Sequence, residues 1–144
     1  MDTQVADLLG GERVLGASVK SNLDLARATR QGLPAETAAW LADAIGLPAM
    51  GPLGALIGFL PHALSRNASP AARLTPEQSD MVIRTARTLA KAIDILGDRD
   101  KAAHWLTAPN RAMGGEIPIT LLDTSAGAHE VEALLDRIEY GVYS

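Results

Sequence analysis

The chain has 144 residues and a formal net charge of −4, with 47% hydrophobic residues, 3% aromatics and no cysteine. That length suits one ordinary domain or two very small ones, and the absent cysteine excludes disulfide staples and thiol chemistry. With so few aromatics the core must be built from Leu, Ile, Val, Met and Ala, a composition that favours helix over sheet. The charge is uneven: residues 1–59 carry −2, residues 60–91 carry +3 and residues 92–144 carry −5. Ordinary surface scatter accounts for this, as does a chain that serves both a polyanion and a basic partner.

In chain order, a short helix is expected over Thr3–Leu9, stopped by Gly10-Gly11. The spacing Gly11–Gly16 is half that of a phosphate loop, but Ala17-Ser18 follow where a Lys is required, so nucleotide binding is discounted. A second helix runs Asn22–Gln31, with Ser21 as N-cap and Gly32 as its stop. A third starts at Pro34 and runs to Ile45, with Gly46 at the left-handed cap, Ala38, Leu41 and Ile45 inward, and Trp40 partly buried. Residues 52–67 read as two short helices around Gly58, the outline of a helix-turn-helix. Leu53 and Ile57 face inward on the first, Phe59 plugs the turn and Leu64 anchors the second, while His62, Ser65, Arg66 and Asn67 face out. Those four suit base edges, and Arg73, Arg84 and Arg87 suit phosphates. A plain helical hairpin that never meets DNA satisfies the same pattern.

Thr75-Pro76-Glu77-Gln78 is a strong helix start, with a Thr cap, Pro at the first position and Gln three residues after the cap. The helix reaches Leu96 and stops at Gly97. Its seam Val82, Ala86, Leu89, Ile93, Leu96 would join the two halves of the chain or pair with its copy in a dimer. Asp98 caps a helix through about Leu106. A loop over Thr107–Gly115 follows, then a short helix Pro118–Leu122. Thr124 caps a last helix to Tyr140, with Val131, Leu134, Leu135 and Ile138 inward and Glu130, Glu132, Asp136, Arg137 and Glu139 outward. Tyr140 and Tyr143, the two tyrosines of the chain, read either as interface anchors or as a helix end folded back on its own domain.

Catalysis finds no machinery in the sequence. His62, His104 and His129 share no ligand spacing with a carboxylate pair, and no nucleophile elbow is present. The expectation is a non-enzyme without metal or cofactor. No apolar run spans a bilayer and no signal peptide opens the chain, so a cytoplasmic protein without membrane contact is expected.

One set of residues resembles a known family. The runs Ala92–Asp98, Ala102–Leu106, Ala108–Gly115, Ile117-Pro118 and Leu121–Thr124, with Gly127, Val131, Leu135 and Ile138–Tyr143, look like the toxin-binding domain of Xre/ParS/MbcA antitoxins. The Gly32-Leu33-Pro34 turn and the hairpin around Gly58 resemble that family's Xre-like helix-turn-helix. The resemblance implies an all-α fold, with a helix-turn-helix domain over residues 1–74 and a toxin-binding domain over residues 75–144. It implies a partner encoded by the adjacent gene, a RES-domain toxin related to ADP-ribosyltransferases that consumes NAD. The antitoxin would block that enzyme's pocket with its C-terminal segment, within a hetero-oligomer containing an antitoxin homodimer, and would repress its own operon by binding operator DNA. The implied toxin contacts are Trp105, Pro109, Asn110, Arg111, Met113, Gly114, Arg137, Glu139, Tyr140, Tyr143 and Ser144. The DNA contacts are His62, Ser65, Arg66, Asn67 and Arg73. The other reading is a stand-alone helix-turn-helix regulator.

Overall fold

The computed structural model describes residues 2–16, 18–46 and 72–141. The hairpin expected over residues 52–67, with His62, Ser65, Arg66 and Asn67, lies outside the described residues, as do Tyr143 and Ser144. The described residues are all-α: α1 (Asp2–Leu8), α2 (Gly11–Leu15), α3 (Asn22–Gln31), α4 (Glu36–Ile45), α5 (Pro76–Leu96), α6 (Arg99–Thr107), two 3-10 segments (Arg111–Met113 and Pro118–Asp123) and α7 (Ser125–Glu139). Their one β feature is an isolated antiparallel bridge between Pro34 and Arg73.

The caps act as the sequence indicates. Ser21 accepts from the Asp24 amide at 3.2 Å, and Thr75 and Gln78 form both bonds of a capping box. Asp98 accepts from the Asp100 amide and Thr124 from the Gly127 amide, so each helix of the C-terminal third begins at a fixed residue.

α5 is the central element. It packs against α1, α3 and α4 on the N-terminal side and against α6, α7 and the Pro118–Asp123 segment on the other. The expected seam is there, with Val82, Ala86 and Leu89 fully buried and Ile93 and Leu96 half-buried. The buried arc is wider than that seam, because Ser79, Ile83, Thr85, Thr88, Ala90 and Ala92 are also buried. Five of these six are small, and small side chains let neighbouring helices approach α5 from several directions.

Two expectations are corrected. The stop at Gly10-Gly11 holds for α1, but the segment after it is not the loop that the sequence suggests: Gly10, at φ 102°, turns the chain and a further helix, α2, begins at Gly11. A Cβ at Gly10 would lie 2.6 Å from Val14 and 2.9 Å from the Trp40 ring, so only glycine lets the corner close there. Trp40 is 41% exposed, its Nε1 donating to Glu36. The third helix begins at Glu36 rather than Pro34. Residues 33–35 are instead paired across the chain: Leu74 donates to the Leu33 carbonyl at 2.8 Å and Ala35 to the Ala72 carbonyl at 3.0 Å. The Leu33 amide donates to the buried Ser79 hydroxyl of α5 at 2.8 Å. This long-range pairing outweighs proline's preference for a first helical turn, a preference that is purely local.

Candidate partner-binding surface

The C-terminal third builds outward-facing groups on a pinned backbone. Ala102 and Leu106 bury one face of α6, and Trp105 packs half-buried against the core. Past α6 the chain must reverse, and Asn110 organises the reversal. Only 7% exposed, it accepts from the Ala112 amide through Oδ1 at 2.9 Å. Its own amide donates to the Glu116 carbonyl at 2.9 Å, and its carbonyl accepts from Met113 and Gly115. Gly114 and Gly115 both lie at positive φ, which the closure requires. The turn therefore points Asn110 inward. It leaves Pro109, Arg111 and Gly114 exposed, with Met113 packed against the core.

The Pro118–Asp123 segment buries Pro118, Ile119 and Leu122 and carries the chain to α7. Two contacts fix it. Arg84 of α5 donates to the Leu122 carbonyl at 3.0 Å and pairs with Asp80 at 2.5 Å. Gly127 brings the first turn of α7 onto Leu121 so closely that a Cβ there would lie 1.9 Å from the Leu121 carbonyl oxygen. Arg87 hydrogen-bonds Asn22 of α3. Arg84 and Arg87, two of the three arginines read from the sequence as suited to phosphates, thus tie elements of the fold together.

α7 buries Val131, Leu134 and Leu135 and is tied to α5 by an ion pair of 2.7 Å between Lys91 and Asp136. Among the described residues no other acid of α7 is ion-paired. Arg137, Glu139 and Tyr140 are exposed at its end, Tyr140 at 75%. Of the two sequence readings of Tyr140, the helix end folded back on its own domain is thereby set aside. No described hydrogen bond or ion pair joins Arg137, Glu139 or Tyr140 to the Asn110–Glu116 turn; the two groups are carried by α7 and by the turn after α6. Arg73 lies apart from both, on the N-terminal side. Sequence reasoning read Arg84 only as a phosphate contact and passed over Lys91; both position the scaffold. For Arg84 the signal was Asp80 four residues earlier, an ion-pair spacing on a helix.

His104 and His129 are exposed, and among the described residues no group of three His, Asp or Glu could hold a metal ion. Nor is any helix there long and apolar enough to cross a membrane.

A known protein family matches this same region. Residues 91–141 match the antitoxin Xre/MbcA/ParS C-terminal toxin-binding domain. The chain is 38% identical over 88 residues to an antitoxin Xre of Yersinia enterocolitica, a match covering 60% of each chain. It is 37% identical over 90 residues to an antitoxin Xre of Photorhabdus laumondii, covering 62% of this chain and 61% of the relative. A third antitoxin Xre, from Pseudomonas putida, is 35% identical over 68 residues. The chain thus matches about three fifths of the length of the first two relatives.

Proposed function

We propose that the chain, whose residues 91–141 match the Xre/MbcA/ParS toxin-binding domain, is an antitoxin that binds and silences a protein toxin encoded beside it. The carrying observation is a coincidence of two things. The matched stretch, residues 91–141, is also the stretch whose buried contacts hold exposed polar and aromatic groups on a fixed backbone. A surface organised before binding loses less freedom when it docks.

In this reading the partner is a RES-domain, ADP-ribosyltransferase-like enzyme that consumes NAD. Arg137, Glu139 and Tyr140, with Tyr143 and Ser144 beyond them, enter its pocket, and Trp105 and the Pro109–Gly114 turn support the contact. The charge sign agrees: residues 92–144 carry −5, and a pocket that accepts a pyrophosphate favours anions. The antitoxin itself does no chemistry; it acts by occupancy, from the cytoplasm. Residues 1–74 form the operator-binding unit of an autorepressor and residues 75–144 the toxin-binding unit, with the antitoxin dimeric inside a larger complex.

Co-purification tests this. The full chain is expected to elute with the product of the adjacent gene and to stop that product's loss of NAD in a coupled absorbance assay. Separate elution with undiminished NAD loss overturns the reading.

A further inference from the structure

The N-terminal helices hold a cleft that the partner-binding surface does not use. Asp24, Arg27, Ala28 and Gln31 recur at one face of α3 and line it, together with Ser18, Pro34 and Arg73, around a volume of about 170 Å³. Small-molecule sites run to roughly 300–1,000 Å³, so the cleft suits one charged group of a larger partner rather than a whole cofactor.

Two arginines from distant segments of the chain, Arg27 and Arg73, line it with little of their bonding capacity used. The Arg27 side chain is 65% exposed, and its described partner is Asp24 at 3.7 Å, beyond hydrogen-bond range. Arg73 donates one long bond, 3.4 Å, to the Gly32 carbonyl. Asp24 is already committed, since its Oδ2 accepts from the Lys20 amide at 2.9 Å. That bond, ahead of those from Ser21 and the charge of Arg27, holds the carboxyl below its ordinary range. The lining keeps two cations to one anion, with Ser18 and Gln31 as neutral donors. Its backbone is set firmly: Gly32, at φ 84°, sits where a Cβ would lie 2.4 Å from the Leu74 carbonyl oxygen.

We propose that this cleft grips a phosphate of a nucleic-acid backbone between Arg27 and Arg73. Guanidinium forks match phosphate oxygens in shape as well as charge. Residues 60–74, at the end of the proposed operator-binding unit, carry Arg66 and Arg73 and no acid, which favours a polyanion over an acidic protein surface. The proposal rests on the reading of residues 1–74 as a DNA-binding unit, and supplies it with a contact that positions rather than specifies.

The test is fluorescence anisotropy of the full chain, alone and with its co-purified partner. The probes are the duplex upstream of its own gene and a random duplex of equal length, each over a range of salt concentrations. Arg27→Gln and Arg73→Gln are each expected to weaken both duplexes several-fold. Each should also lower the slope of log affinity against log salt by about 0.9, the change for one lost phosphate contact. Arg27→Lys should keep the slope, and circular dichroism should show all variants folded. Wild-type slopes in both Gln variants, with Arg66→Ala abolishing preference for the upstream duplex, overturn the cleft and leave the DNA reading standing. Failure of the wild-type chain to bind either duplex in either state overturns both. Loss of toxin binding in Arg27→Gln, with DNA binding intact, assigns the cleft to a protein partner and overturns the proposal.

Discussion

A polar side chain removed from water must find partners inside the protein, and Asn110 and Thr85 meet that demand in opposite ways. Asn110 spends its side-chain oxygen and its own backbone on a single turn. Asn110→Ala should cost about 1 kcal/mol, the usual worth of such a cap, and should weaken partner binding beyond that, because the exposed Arg111 loses its fixed backbone. Asn110→Asp keeps the acceptor and should restore most of both; urea melts and titration with the partner measure them. Thr85 is fully buried on α5, and its hydroxyl has no hydrogen-bond partner. Thr88, one turn on, returns its hydroxyl to the Arg84 carbonyl at 3.0 Å. An unpaired buried hydroxyl costs roughly 1–3 kcal/mol, so Thr85→Val should raise stability by about 1 kcal/mol. A destabilised variant in the same melt would mean that the hydroxyl is satisfied. The sequence marks Asn110 as a turn residue through its Pro and Gly neighbours. It carries no sign that Thr85 would be buried, since that depends on how many helices surround α5.

At the scale of elements, local chemistry was readable and long-range pairing was not. Ser21, Thr75, Asp98 and Thr124 each announce a helix start that the structure keeps, because a cap is satisfied within three residues. The start of α4 was misplaced because Leu33 and Ala35 bond to residues 72–74 and to Ser79, a partnership that no window around Pro34 contains. α2 was missed because two adjacent glycines read as a stop, whereas Gly10 turns the chain against Trp40 and helix resumes at once. Gly127 shows the same limit. It stands inside an otherwise strong helix, and only the approach of Leu121 explains it. Gly127→Ala should lower stability by roughly 1–3 kcal/mol, the cost of overpacking a closed contact. It should also weaken partner binding, because α7 must move off the Pro118–Asp123 segment. A thermal melt unchanged from wild type would show that this approach is not closed.

Across the whole molecule, α5 carries the account. It receives the N-terminal helices on one side and the C-terminal module on the other, so the outward groups of α7 rest on a core that both halves of the chain build. What the sequence made legible of the candidate site was its chemistry: an acidic stretch ending near two tyrosines, and a rare-residue turn. It could not say that Tyr140 stands clear of its own domain, because exposure follows from the direction of α7 against α5, set by Gly127, Arg84 and the Lys91–Asp136 pair. The central claim is that residues 91–141 present groups that silence a toxin from the end of α7. Growth rescue tests it most directly, with the adjacent gene's product induced beside either the full chain or a chain lacking residues 138–144. The account predicts growth with the full chain and none with the shortened one, while circular dichroism of the shortened chain retains the helical signal. Equal rescue by both would contradict it.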